Sequence, residues 1–324
     1  MSIILKKEPE KGTLLMRDVY AGTLIDLAKD DARIVVLDAD LMSSMGMKPF
    51  QAAYPERTFN CGVQEANMIG VAAGLSAAGL IPFAHTFGCF ASRRACDQIY
   101  LAAAYAGLNV RIVGSDPGIT AEYNGGTHMA LEDMGILRGI PGVTVLEPTD
   151  NVMLENLIRQ IKDLYGVFYI RLLRKQTMVI YEEGSQFEIG KGVLLRGGSD
   201  VTLFVSGVLV ADTLQAAKLL EQDGISARVV NLFTWKPIDA DLIERCAAET
   251  GAAVSVENHS VCNGLGSAIA EVLAERAPIP LERVGAQGRF GEVGPQDYLR
   301  KVFGMTAEDI AKKARKAIGR KQDK

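Results

Sequence analysis

No basic surface is on offer to a nucleic acid: 35 Lys and Arg stand against 39 Asp and Glu, so the net charge is -4 and phosphate backbones find nothing to seek. Cysteine is sparse and unpatterned. Cys61, Cys89, Cys96, Cys246 and Cys262 form an odd set without a Cys-x-x-Cys pair, and no signal peptide precedes them. They read as reduced thiols of a cytoplasmic protein. Internal repeats and low-complexity tracts are missing as well. The longest uncharged run, residues 66 to 84, approaches the twenty apolar residues that cross a bilayer, but Asn67, Ser76, Pro82, Gly70, Gly74 and Gly79 dilute it. No membrane span is expected there. Gly70, Gly74 and Ala78 recur every fourth residue instead, and predict a buried helix with one smooth face against another helix, within the chain or across a subunit boundary.

What remains is a chain of 324 residues, 48% hydrophobic and 23% charged, which is enough for about two globular domains. Short β-branched runs at 34–38, 80–84, 110–114, 143–146 and 167–171 alternate with helical patterns near 18–29, 64–78, 90–106, 129–138 and 151–163. That alternation predicts an α/β fold, a mostly parallel sheet with helices on both faces. Residues 172–198 lose the rhythm and end in a Gly-rich stretch, which places a boundary there: one domain over 1–185, a second over 186–324. The second repeats the pattern, with strands at 201–205, 227–231, 252–257 and 281–284 and closing helices near 296–302 and 306–315.

Glu65 opens the uncharged run. A lone carboxylate at the mouth of so apolar a stretch either finds a specific hydrogen-bond partner or holds a proton, and both outcomes suit a group that passes a proton to a cofactor nitrogen. It also suits a helix first turn, where the macrodipole favours an acid. In open α/β sheets ligands bind beyond the carboxyl ends of the strands, so three loops draw notice. Asp38-Ala39-Asp40-Leu41-Met42-Ser43-Ser44 offers two acids and two hydroxyls, for a polar ligand or a helix cap. His85-Thr86-Phe87-Gly88-Cys89-Phe90 sets two aromatics three apart, for a stacked planar ring or for plain core. Asn124-Gly125-Gly126-Thr127-His128 carries one of only three histidines on a backbone that permits close approach. Arg17 and Arg171 frame the same sheet face. Asn263-Gly264-Leu265-Gly266 lacks the third glycine and the ribose acid of a dinucleotide fingerprint, and His259 reads as structural.

In order and spacing these pieces resemble the C-terminal half of transketolase, over essentially the whole chain. Gly62-Val63-Gln64-Glu65 is similar to the segment whose glutamate binds N1' of the thiamine aminopyrimidine. Thr86-Phe87-Gly88-Cys89-Phe90 resembles the Thr-Phe-x-x-Phe stretch that holds that ring, and Gly126-Thr127-His128 the motif whose histidine contacts the reacting part of the sugar. The resemblance implies thiamine diphosphate as cofactor, with Asp40, Glu65, Phe87 and Phe90 binding it. It implies Glu65 and His128 as catalytic groups, and Arg17, Ser44, His128 and Arg171 around a sugar phosphate or related anionic sugar. Two departures stand out: Asn124 replaces the family's aspartate, and Gly114 or Ser115 its phosphate-binding histidine.

No Gly-Asp-Gly motif occurs, although the family uses one to hold the diphosphate through Mg2+. The resemblance therefore implies a split enzyme, in which an N-terminal subunit supplies the metal ligands in an α2β2 heterotetramer. Two alternatives stay open: the β subunit of a 2-oxo acid dehydrogenase, and a non-catalytic partner subunit that has kept the fold.

Overall fold

The computed structural model describes residues 2–322. A seven-stranded sheet runs in the order Thr234–Lys236, Val143–Leu146, Val167–Leu172, Val110–Ser115, Ile81–Phe87, Ile34–Asp38 and Thr58–Asn60. Every neighbouring pair is parallel except the first. Strands such as Ile34–Asp38 and Val110–Ser115 are buried throughout, as a parallel sheet covered on both faces requires. A second sheet of five strands follows, ordered Leu281–Ala286, Ala253–Ser260, Val201–Val205, Ala227–Asn231 and Val193–Arg196. Its only antiparallel strand is the edge strand Val193–Arg196, which begins shortly after the expected division at 185/186. A short ribbon pairs Leu5–Lys11 with Met178–Tyr181.

Helix ends follow local chemistry. Asp150 caps the helix Asn151–Asp163 by accepting from the Met153 amide at 3.0 Å, and its other oxygen accepts from Ile180 and Tyr181. Asp239 caps Ala240–Thr250, which ends on Gly251 in the left-handed conformation. The helix expected near 129–138 forms only as Asp133–Arg138, and the stretch from Phe90 to Tyr105 is helical with mostly π-type turns.

One expectation is corrected. The strand expected over 80–84 does not stop at residue 84 but continues through Phe87, so His85 and Thr86 are strand residues facing buried partners. The helix Glu65–Ala77 buries Met68, Ile69, Ala72, Ala73 and Ser76, while Gly70, Gly74 and Ala78 lie on its exposed face, so the helix expected against them is not within this chain. Tyr100, Leu101 and Tyr105 are exposed on the helical segment beside it. Among the described residues no helix is long and apolar enough to cross a membrane.

A buried polar network joins the two domains. Arg171, on Val167–Leu172, donates to both Asp133 oxygens at 2.9 and 2.5 Å, to Glu147 at 2.6 Å and to the Asn258 carbonyl of the second domain at 3.1 Å. Burial works against its charge, but the two carboxylates more than offset this and raise its pKa. Asn258 in turn accepts from the Ile119 amide and donates to the Pro117 carbonyl. His259 accepts from the Gly135 amide, and burial pushes its pKa down to about 4, so it is the structural histidine expected. Glu257 accepts from the Leu265 and Gly266 amides, occupying the N-terminus of the helix Leu265–Arg276 where a dinucleotide phosphate would sit.

Burial drives the Glu257 carboxyl up to about 8 from an ordinary 4.5, so the folded chain keeps a proton that the unfolded chain releases. Its contribution is full below 4.5 and is lost as pH rises towards 8. His259 acts in the opposite sense between about 4 and 6.5, where only the unfolded chain takes up the proton. Asp116, pushed by burial up to about 6, acts in the same sense as Glu257 but has largely titrated by about pH 7. Conformational stability is therefore expected to fall from about pH 6.5 to about 8, and Glu257→Gln to flatten the slope, read from denaturant midpoints. An equal slope in the variant would assign it elsewhere.

Candidate active site

Because adjacent strands are parallel, their carboxyl ends bring distant loops to one edge of the first sheet: 173–175, 116–128, 87–94, 38–44 and 60–65. Glu65 begins its helix there with only 1% exposure. Arg94 donates to its two oxygens at 3.0 and 2.8 Å, and Thr86 Oγ1 lies 3.5 Å from the first. The same guanidinium lies over the Phe90 ring, 4.0 Å from its centroid. Phe90 and Arg94 are four residues apart on a helical segment, the spacing that lets side chains meet. Phe87, Phe90 and His128 form an aromatic trio, with centroid separations of 6.0, 5.6 and 5.2 Å. Thr127 Oγ1 pairs with His128 Nδ1 at 2.9 Å.

The arrangement of Glu65 and Phe90 tests the cofactor directly. A planar, delocalised cation with N–H donors already lies against both the ring face and the carboxylate. That is the chemistry a protonated aminopyrimidine would offer, so the residues fit the heterocycle, provided Arg94 moves aside. Among the described residues no three His, Cys, Asp or Glu side chains gather as a metal site.

On the neighbouring strand end, Asp40 is exposed and left-handed at φ 64°. Its amide donates to Asn60 Oδ1 at 3.1 Å, and Asn60 Nδ2 donates to its carboxylate at 3.3 Å. Leu41 packs against the cluster of Phe87, Cys89 and Ala130, against which Phe90 also packs, so this loop is tied to the aromatic trio. Arg17 donates to the backbone carbonyl of Ser44 at 3.0 Å, so these two do meet, although not through the serine hydroxyl.

Arg171 does not join them. It is 1% exposed and its donors are spent on Asp133, Glu147 and Asn258, so the expectation that it binds the sugar is corrected. Two residues beyond the strand end, Arg174 faces the site instead: it pairs with Asp116 and lies 4.9 Å from the centroid of Phe87. Its only signal in the sequence is that it follows the apolar pair Leu172-Leu173. Sequence reasoning missed Arg94 as well, although its spacing from Phe90 is legible. Gly114 is dictated by packing, because a Cβ there would strike the Tyr169 hydroxyl that Asp133 holds. A histidine cannot stand at that point, and Asp116 occupies the strand's exit.

Residues 13–178 match the transketolase pyrimidine-binding domain and residues 190–310 the transketolase C-terminal domain. The chain is 53% identical over 306 residues to 6-deoxy-6-sulfo-D-fructose transketolase subunit SqwH of Clostridium sp. (strain MSTE9), covering 94% of this chain and 95% of that one. It is 31% identical to a subunit of the apulose-4-phosphate transketolase of Phocaeicola vulgatus, covering 92% and 96%. A split-gene transketolase solved as an inactive beta4 tetramer superposes with a TM-score of 0.89 at 41% identity, covering 95% of this chain and 99% of that chain. With two domain matches that together span most of its length, the chain belongs to the transketolase family.

Proposed function

We propose that this chain is the C-terminal subunit of a split, thiamine diphosphate-dependent transketolase that moves a two-carbon ketol unit from a terminally anionic ketose to an aldose. The observation that carries the reading is the buried Glu65 carboxylate facing a planar cation stacked on Phe90. Thiamine diphosphate, when bound, would supply a carbon nucleophile for the ketose carbonyl and an electron sink for cleavage of the adjacent C–C bond. Glu65 holds the proton at the aminopyrimidine N1', and Phe90 with Phe87 stacks on the ring and keeps water from it. His128, edge-on to both phenylalanines, faces the reacting part of the sugar, and Asp40 closes the cofactor side.

Arg17, Ser44 and, in place of Arg171, Arg174 receive the distal anion, since a guanidinium suits a tetrahedral oxyanion. The names of two relatives, subunits of a sulfofructose and of an apulose phosphate transketolase, support an anionic donor. The diphosphate and Mg2+ would be held by an N-terminal partner carrying Gly-Asp-Gly, in an α2β2 assembly in the cytoplasm. The inactive beta4 state of a split-gene relative supports that need, as does the exposed face of Gly70, Gly74 and Ala78 beside Tyr105.

With the partner added, Arg174→Ala should raise KM for a terminally anionic ketose by about one to two orders of magnitude and leave hydroxypyruvate cleavage little changed. Equal losses on both donors would remove the anion site from Arg174. Decarboxylation of 2-oxo acids without ketol transfer would overturn the transketolase reading altogether.

A further inference from the structure

Four polar atoms behind the site have no hydrogen-bond partner among the described residues although they are fully buried: Asp38 Oδ2, both ring nitrogens of His85, and the Tyr20 hydroxyl. Asp38 and His85 are directly paired in register on adjacent parallel strands, and each is 0% exposed. Their nearest atoms, Asp38 Oδ2 and His85 Nε2, are 3.0 Å apart, but the N–H is not aimed well enough to count as a hydrogen bond. A small rotation of the imidazole completes it. Tyr20 packs edge-on to the imidazole with centroids 6.0 Å apart. Burying an unpaired carboxylate oxygen is costly, so the pair is expected to close.

The other Asp38 oxygen has a different task. Oδ1 accepts from the Leu41 amide at 2.5 Å, and the Asp38 carbonyl accepts from the Cys61 amide at 2.8 Å. Between Asp38 and Leu41 the chain passes through Asp40 in a left-handed conformation, which an aspartate adopts more readily than most side chains but still at a steric cost. Asp38 clamps that turn from the buried side and Asn60 from the outer side. Asn60 also accepts from Gly62, in the loop that leads to Glu65.

We propose that His85 is a positioning residue for Asp40: its imidazole holds the Asp38 carboxylate, which fixes the Leu41 amide and so the left-handed turn that presents Asp40 to the site. The functional consequence rests on the reading that Asp40 faces the cofactor, whereas the clamp itself does not.

The test compares two polar replacements of the buried ring. In His85→Gln the amide nitrogen reaches the place of Nε2, whereas in His85→Asn it falls short. Hydrogen exchange of the Leu41 amide, followed by NMR in the free chain, is expected to stay near wild type in His85→Gln and to speed up at least about tenfold in His85→Asn. With the partner subunit added, KM for the ketose donor should rise in His85→Asn in parallel, with rescue by His85→Gln. Equal Leu41 exchange in the two variants, or melting temperatures that fall together with exchange faster at all core amides, would overturn the clamp. Faster Leu41 exchange with unchanged donor kinetics would uphold the clamp and refute the role given to Asp40, leaving Glu65 and its chemistry untouched.

Discussion

Glu65→Gln is expected to lower turnover of the reconstituted enzyme by about 10²- to 10⁴-fold, the range that a positioned proton donor or acceptor contributes. Glutamine keeps the shape of the side chain and can still meet Thr86 and Arg94, but its amide cannot exchange a proton with a ring nitrogen at useful rates. The fold should tolerate the change. The Arg94 side chain is 44% exposed, and an ion pair open to solvent on one side adds little to stability, so the melting temperature is expected to move by no more than a few degrees. Cofactor binding and turnover should be measured on the same preparation. Because the loss falls on a step after binding, kcat should drop far more than cofactor affinity. Turnover within a few-fold of wild type would remove the proton-handling role from Glu65, and with it the observation on which the functional reading rests.

Much of this site is legible in the sequence because it depends on local spacing. Glu65, Phe87, Phe90 and His128 each sit in a short motif whose chemistry follows from residue types a few positions apart, and the parallel sheet then brings the motifs to one edge. The strands legible in advance are those buried on both faces, where continuous apolar runs leave a clear trace. Edge strands such as Thr58–Asn60 and Thr234–Lys236 leave none, being three residues long and paired to segments far away in the chain. His85 and Thr86 look like loop residues because they are polar. Their partners, Asp38 and Glu65, lie 47 and 21 residues away, and no local pattern announces such pairing.

Arg171 and Arg174 show the same limit at one strand end. From sequence, both follow an apolar run and either would serve an anion. What decides between them is that the strand continues to Leu172 and that Asp133 and Glu147, on other elements, wait inside for a cation. The alternation of side chains along a strand puts Arg171 on the same face as Tyr169, whose hydroxyl also bonds Asp133. One register position fixes a scaffold residue, and the chain beyond the strand is free to turn Arg174 towards Phe87.

Arg171→Ala is accordingly expected to damage the fold rather than the anion site. Removing the guanidinium leaves Asp133, 0% exposed, and Glu147, 3% exposed, without the cation that balances them. Breaking a buried pair in this way costs about 3 to 5 kcal/mol, a large share of what holds a domain together. The loss should reach the second domain as well, because Arg171 also donates to the Asn258 carbonyl and lies 5.8 Å from the centroid of Trp235. Denaturant titration should therefore show a lower midpoint, and separation into two transitions if the domains come apart. The cause can be told from simple cavity formation: if uncompensated charge dominates, adding Asp133→Asn and Glu147→Gln to Arg171→Met should recover part of the stability, since the buried ions are then gone. No recovery would point to lost packing instead. An unchanged midpoint in Arg171→Ala, with a raised KM confined to anionic donors, would restore Arg171 to the substrate pocket and require the Asp133 and Glu147 contacts to open when the sugar binds.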